Sequence, residues 1–365
     1  FVSGGGDHDI RIWNDEEEGG KCERVLSKHT GFVMALAFNQ NGTQMCSSGW
    51  DNFVHIWDVD TWEVELSLNC FEQCIMSLAW SPGAEPDRLC TGGLDKTIQC
   101  WDLPVLCREL AGNKKQKQVK DDAGVAVITS GAATAVTKIM TPKLPSNRRS
   151  QRITSVSWSP DGSRLCTTSV DWTVRIWSTS SGRCQHLLKG HTGTSLTIGA
   201  RNEQGTPLLT AVPDTKWVWN NEKNVFERET EGHSASVISA CWSPDGTKIC
   251  TAGTDCSVRV WDASVGKCIN ILRGHKNWIG CVSVSPDGKG IASGSSDRTI
   301  RVFLTNNPID IVASKETQDD AVCCLKGHLG NVTDVVWSPV GRARICSSST
   351  DWSVRVWNLE NVSCT

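Results

Sequence analysis

The chain has no tyrosine and only four methionines in 365 residues. Chemistry that needs a phenol is therefore excluded. There is no apolar run long enough to span a bilayer, so membrane insertion is not expected. Neither sign of charge dominates: 37 Lys and Arg stand against 40 Asp and Glu, a formal net of −3. An initiating Met is also missing. Phe1-Val-Ser-Gly4 reads as the second strand of a structural unit, so the first residues are expected to be a fragment boundary, and a leader further upstream stays open.

Tryptophan and cysteine are plentiful, at 17 and 18 copies. Most of the Trp residues fall into a repeat. An Asp is followed six residues later by an aromatic at Asp7/Trp13, Asp51/Trp57, Asp95/Trp101, Asp171/Trp177, Asp255/Trp261, Asp297/Phe303 and Asp351/Trp357. An eighth pair, Asp214/Trp219, is one residue short. The Asp positions recur at intervals of 44, 44, 76, 43, 41, 42 and 54 residues. A period near 42 marks one supersecondary unit copied many times.

Aligned on the Asp, the copies share further features. Four residues before it stands a hydroxyl: Ser3, Ser47, Thr91, Thr167, Thr210, Thr251, Ser293 or Ser347. Upstream come hairpin turns such as Ser159-Pro-Asp-Gly162, Ser243-Pro-Asp-Gly246 and Ser285-Pro-Asp-Gly288. In these Pro presets one backbone angle and Gly accepts positive φ. Alternating apolar stretches flank them, for example Ile153 to Trp158 and Thr173 to Trp177, as strands with one inward face require. A fourth strand follows and leads into Gly190-His191, Gly232-His233, Gly274-His275 or Gly327-His328, with Lys28-His29 as a variant.

With its Gly-His starts and its Trp57-Asp58, Trp101-Asp102 and Trp261-Asp262 ends, the chain closely resembles the WD-repeat family of β-propellers over nearly its whole length. The resemblance implies an all-β fold of four-stranded blades that bury one another's faces. Eight units are visible, the first incomplete. The expectation is a single propeller over residues 1–365 with eight blades in one ring; the alternative is a seven-bladed ring plus a blade of a tandem propeller. The resemblance also implies a buried hydrogen-bond chain in each complete unit: His29-Ser47-Asp51-Trp57, His233-Thr251-Asp255-Trp261 and His328-Ser347-Asp351-Trp357. The His275 unit ends in Phe303, which has no indole donor, so its chain is expected to stop earlier. A His, an Asp and a Ser together suggest a hydrolytic triad, but a triad is identified by unique geometry and this trio recurs. No catalytic residue, metal or cofactor is assigned.

Subtracting the repeat leaves the functional candidates. Residues 111–152 form a basic insertion between the third and fourth units: Gly112 to Arg152 holds nine Lys/Arg and two Asp, a net of +7. It is read as a loop, with a hairpin allowed in its middle. It is the one segment that offers nucleic acid a contact, though it lacks interleaved aromatics. Residues 305–320 are read as a surface loop insertion. Phe32, Trp50, Trp172, Trp278 and Trp352 lie at unit turns outside the repeat pattern, and the resemblance places those turns on one face of the disc. Trp is a favoured hot-spot residue, so these five are the candidate partner-binding face. The repeated Arg11, Arg175, Arg259, Arg301 and Arg355 are read as covering blade surface and pairing with local acids.

Cys46, Cys90, Cys166, Cys250 and Cys346 each stand five residues before a repeat Asp, a slot for a small buried side chain that free Cys fills. Cys70 and Cys74, and the Cys323-Cys324 doublet, have no such explanation. So much free thiol points to a reducing compartment, the cytoplasm first, with nuclear or cytoskeletal association open. The functional expectation is a non-enzymatic scaffold that presents a propeller face to several proteins of a larger complex. A ubiquitin-ligase substrate receptor or peptide reader, and a cytoskeletal, ciliary or RNA-processing assembly subunit, are the alternatives. The ligase reading is weakened because Trp57-Asp-Val-Asp60, Trp101-Asp-Leu-Pro104 and Trp261-Asp-Ala-Ser264 all lack the Arg of the adaptor-docking motif that the resemblance implies.

Overall fold

The computed structural model describes residues 1–14, 21–69, 71–83, 88–112, 119–120, 126–129, 136–140, 152–189, 216–220, 225–229, 232–305, 320–339 and 344–359. The Glu16-Glu-Glu18 run, Cys70, His191, Thr210, Asp214 and nearly all of the 305–320 insertion lie outside them.

Seven antiparallel sheets form a ring, giving a seven-bladed β-propeller. Blade 1 is Val2–Gly4, Asp9–Asn14 and Lys21–Ser27. Blade 2 is Val33–Phe38, Gln44–Gly49, Val54–Asp58 and Val64–Asn69. Blade 3 starts with Ile75–Trp80, Arg88–Gly93 and Thr97–Asp102. Blade 4 is Ile153–Trp158, Arg164–Ser169, Thr173–Ser178 and Cys184–Lys189. Blade 5 is Val237–Trp242, Lys248–Gly253, Val258–Asp262 and Cys268–Leu272. Blade 6 is Ile279–Val284, Gly290–Ser295, Thr299–Leu304 and Cys323–Lys326. Blade 7 is Val332–Trp337, Arg344–Ser349 and Val354–Asn358.

The ring therefore has the seven blades of the alternative arrangement, not eight. The unit that drops out is the shortened one around Asp214. Blade 4 packs directly on blade 5: Cys166, Val174, Ile176 and Leu188 share one core with Val237, Trp242, Ile249 and Trp261. Of the intervening segment, Lys216–Asn220 and Val225–Glu229 pair as a two-stranded hairpin.

The junctions from blade 2 round to blade 7 follow one plan. The Cys slot and the third-strand aliphatics of one blade face the Leu or Ile and the Trp of the next. Cys90 and Ile98 meet Leu165 and Trp177. Ala252, Val258 and Val260 meet Ile291 and Phe303. The Trp that ends the first strand adds a directional bond. Trp80 Nε1 donates to Ala37 O at 3.1 Å, Trp158 to Ala79 O at 3.0 Å, Trp242 to Ser157 O at 3.1 Å and Trp337 to Ser283 O at 3.1 Å. Each of these bonds crosses to the preceding blade and ties two first strands together.

The chain between the third and fourth blades carries a helix and three strands among its described residues. After Asp102 the chain forms a helix, Leu103–Gly112, whose Leu103 and Leu106 join the core between blades 2 and 3. Asp102 Oδ1 accepts from Val105 N at 3.1 Å, an N-cap, and Pro104 sits in the first turn where a missing N–H costs nothing. Val136–Met140 then returns antiparallel beside Thr97–Asp102 and serves as the fourth strand of blade 3. Ala126–Thr129 runs parallel to Val64–Asn69 and widens blade 2, with Val119–Lys120 outside it. The insertion thus spans two blades. No helix among the described residues is long and apolar enough to cross a membrane.

Cys90 is not a free thiol. It faces Cys100 across the strand pair and the two form a disulfide. The third strand supplies Cys100 where other blades carry Ile56, Ile176 or Val260, so only here do two cysteines oppose each other across second and third strands. Cys323 is buried in the fourth strand of blade 6, within the core it shares with blade 7.

Trp242→Phe keeps most of the apolar volume and removes the bond to Ser157 O. That leaves a carbonyl at a blade junction without its donor. The expected loss is about 1–3 kcal/mol, read as a lower denaturation midpoint at an unchanged denaturant slope.

Candidate functional site

Four blades hold the same buried polar chain. In blade 2, His29 Nδ1 lies 2.7 Å from Asp51 Oδ2 and His29 Nε2 lies 2.8 Å from Ser47 Oγ, which also accepts from Trp57 Nε1 at 2.9 Å. In blade 5 the matching distances are 2.9 Å for His233–Asp255, 2.7 Å for His233–Thr251 and 2.8 Å for Trp261–Thr251. In blade 7 they are 3.0 Å for His328–Asp351, 2.8 Å for His328–Ser347 and 2.8 Å for Trp357–Ser347. In blade 6 His275 reaches Asp297 and Ser293, each at 2.8 Å, and the chain ends there because Phe303 has no donor.

The Asp does more than orient the imidazole. Asp255 Oδ2 also accepts from Ser234 N, and its Oδ1 accepts from Ser257 N and the Ser257 hydroxyl. One carboxylate therefore closes the turn before the third strand and ties it to the loop that enters the first strand. Burial opposes its ionisation, but the His233 bond and these donors outweigh it and hold Asp255 well below the ordinary carboxylate range. Asp51, Asp297 and Asp351 are lowered in the same way. Burial pushes the His233 imidazole down, toward its neutral form.

Blades without the His use other partners. In blade 4 Arg175 Nη2 lies 2.7 Å from Asp171 Oδ2, and Trp177 Nε1 still reaches Thr167 Oγ1 at 2.9 Å. Arg175, Arg259 and Arg301 are buried, so they do not cover blade surface as the sequence suggested; Arg175 pairs with the repeat Asp inside the blade. Blade 3 has neither His nor Arg at these places. There Thr91 Oγ1 turns to Gln99 O, and the Trp101 indole has no hydrogen-bond partner among the described residues.

The five candidate face aromatics separate into groups. Trp50 N donates to Phe32 O, Ser296 N to Trp278 O and Thr350 N to Asn331 O, so the loops entering the first strands and the turns leaving the second strands meet at one end of each blade. At that end Trp50, Trp278 and Trp352 are 56%, 60% and 90% exposed, and Phe32 is also exposed. Phe32 lies 5.3 Å from Trp50 and 5.9 Å from His8, ring centre to ring centre, across the boundary of blades 1 and 2. Leu329, close in sequence to the blade 7 turn, is exposed too. Trp172 is half-buried. Sequence reasoning passed over His8 and Leu329 because neither departs from its own unit's pattern in a way that periodicity detects.

Trp172 and Trp352 both directly follow a repeat Asp, and their φ angles are +75° and +67°. His8, Asn52, Lys96, Cys256 and Arg298 share that left-handed position. Asn suits it; a Trp there costs roughly 1–2 kcal/mol.

Thr251→Val is expected to destabilise blade 5 by about 2 kcal/mol or more, because one hydroxyl serves two buried groups. Stability is also expected to fall with pH in two stages. Neutral His233 contributes stability that is lost as pH drops below the ordinary imidazole value of 6.5, where the unfolded chain takes up a proton first. The lowered carboxylates contribute stability that is lost as pH drops through and below 3.8. Denaturant titrations across pH 3–8 check this, and His233→Gln should flatten the upper stage.

The WD domain, G-beta repeat profile matches residues 20–58, 62–102, 141–178, 224–262, 266–303 and 320–358. The chain is 27% identical over 295 residues to the ribosome biogenesis protein WDR12 homolog of Nematostella vectensis, covering 74% of this chain and 63% of that protein. It is 25% identical over 339 residues to the transcriptional corepressor LEUNIG_HOMOLOG of Arabidopsis thaliana, covering 91% and 36%. It is 30% identical over 162 residues to the nuclear distribution protein PAC1 of Coccidioides posadasii (strain C735), covering 41% and 34%. The chain thus spans between a third and just under two thirds of the length of these curated relatives. With six matched repeats that together cover more than half of it, the chain belongs to the WD40 family of β-propeller proteins.

Proposed function

We propose that the protein is a non-enzymatic scaffold whose turn face binds other proteins within a larger assembly. The observation that carries this is the exposure of Trp50, Trp278 and Trp352 at one end of the blades. Large aromatics left in water at one end of the blades serve no core, and such residues supply much of the energy of protein contacts. The Phe32–Trp50 pair with His8 forms the densest part of the face. Trp172, half-buried, offers less open surface. The His-Ser-Asp trios give no support to catalysis, because the same geometry recurs in blades 2, 5, 6 and 7 and is sealed from solvent.

The backbone adds a second argument. Trp352 holds a left-handed conformation while its ring stands almost fully in water. Strain without a packing return is what a side chain kept for recognition looks like. The relatives are named for nuclear distribution, ribosome biogenesis and transcriptional corepression. A cytoplasmic assembly subunit is the reading we adopt, with a nuclear or cytoskeleton-associated one as the alternative. The basic segment 111–152 is the place for any contact with nucleic acid.

Trp352→Asn is expected to raise stability by about 1 kcal/mol and to weaken partner binding. Trp50→Ala and Trp278→Ala should weaken binding with little change in melting temperature. Affinity purification of the intact protein and of each variant, with quantification of what co-purifies, measures the binding arm. A partner-free monomer, or partners retained by all three variants, overturns the proposal; unfolding of the variants assigns those rings to the core.

A further inference from the structure

Blade 2 differs from the other tetrad blades at one position. The third-strand residue opposite the repeat hydroxyl is Arg175, Arg259, Arg301 or Arg355 in blades 4 to 7; in blade 2 it is His55, 3% exposed. His55 and His29 lie with ring centres 4.6 Å apart. One donor atom from each of His29, Asp51 and His55 lies within 4.8 Å of the other two.

This substitution changes the charge inside the blade. Asp171 in blade 4 has a guanidinium at 2.7 Å, and Asp255 in blade 5 has one at 3.9 Å. Asp51 instead faces two imidazoles. Its carboxylate is 4% exposed and receives Thr30 N, Phe53 N and His29 Nδ1, a set of hydrogen bonds with no permanent cation in it. A buried carboxylate beside two imidazoles is the ligand chemistry of a divalent transition-metal ion.

We propose that His29, Asp51 and His55 form a binding site for one zinc-class divalent cation. Metal–ligand bonds of about 2.0–2.2 Å in a tetrahedral site set donors about 3.4 Å apart, so the His29–Asp51 pair opens from its 2.7 Å hydrogen bond as the ion enters, while the trio as a whole closes from within 4.8 Å. The surrounding groups suit the role. His55 Nδ1 lies 2.8 Å from Ser67 Oγ, and His29 Nε2 lies 2.8 Å from Ser47 Oγ. A serine hydroxyl thus holds one ring nitrogen of each imidazole and fixes its orientation, as outer partners do in metal sites. Ligation through His29 Nδ1 needs the tautomer protonated on Nε2, and Ser47 Oγ accepts that proton's hydrogen bond. Phe53 stacks on His55 at 5.5 Å and Trp57 meets it edge-on at 6.1 Å, which walls the site with apolar surface. The other tetrads are internal controls: blade 5 keeps His233 and Asp255 but has Arg259 in place of the third ligand.

The test is titration of the purified protein with Co2+ and Zn2+. Wild type should bind one Co2+ with a ligand-field spectrum that lacks the thiolate charge-transfer band of a cysteine site, and Zn2+ should displace it. His55→Arg installs the residue of the neighbouring blades, and His55→Gln installs the counterpart of Gln99 in blade 3. At least one of these should fold with an unchanged melting temperature in chelator and lose affinity by about 100-fold or more. Absence of stoichiometric binding by wild type overturns the site. So does undiminished affinity in a folded His55 variant, or a spectrum dominated by thiolate ligation.

Discussion

Each blade of this propeller has two faces to bury and cannot bury either alone. A four-stranded sheet can dry its faces only between two neighbours, so the ring is the smallest unit in which the sequence makes sense. The junction rule follows from this. A small or aliphatic face on one blade, built from Cys, Ala, Val and Ile, meets a large face of Leu, Ile and Trp on the next. Area burial is not directional and would let blades slide. The first-strand indoles correct that, because Trp80, Trp158, Trp242 and Trp337 each find one carbonyl on the preceding blade. At these four junctions hydrogen bonds set the register, and apolar surface supplies the adhesion.

The polar tetrads answer a different problem. They lie within blades and fix the ends of strands, where a hairpin turn and the entering loop would otherwise separate. Their variation shows what the constraint requires. The buried Asp needs a donor beside it, and His233 or Arg175 serves equally well in that respect. Blade 3 has neither, and its indole nitrogen has no partner among the described residues. The same blade carries the Cys90–Cys100 cross-link and borrows its fourth strand from the insertion. Covalent and chain-level ties thus stand where the hydrogen-bond chain is missing.

This pattern explains what the sequence could and could not reveal. Repetition made the strands, turns and tetrads legible, since eight aligned copies average out the ambiguity of any one. The blade count was not legible, because periodicity counts units and the ring counts only those that pack. The Asp214 unit, one residue short, shows the difference: Cys166 and Val174 meet Trp242 and Trp261 with no sheet between them. The helix Leu103–Gly112 carried its own start signal in Asp102 and Pro104, which the repeat register overrode. The fate of 126–129 and 136–140 was illegible for a physical reason: strands recruited to a neighbour's edge are specified by the free edge, not by their own pattern. Cys90 looked like its counterparts because what distinguishes it lies across the strand, at Cys100.

Function in a repeat protein therefore has to be sought in departures from the repeat, and the departures here are of two kinds. Some face water. Trp50, Trp278 and Trp352 add apolar surface that no junction needs, and Trp352 does so from a backbone conformation that disfavours it. Others face inward. His55 occupies a register where Arg175 and Arg259 lie beside a buried Asp, and so brings a carboxylate and two imidazoles within 4.8 Å of one another. An outward departure leaves the blade's own packing intact, so it is available for recognition at little cost to folding. An inward one changes the electrostatics of a single blade while its six neighbours keep the ring in register. A propeller tolerates both because its stability is spread over many equivalent junctions, and that redundancy is what frees individual positions for chemistry the fold does not require.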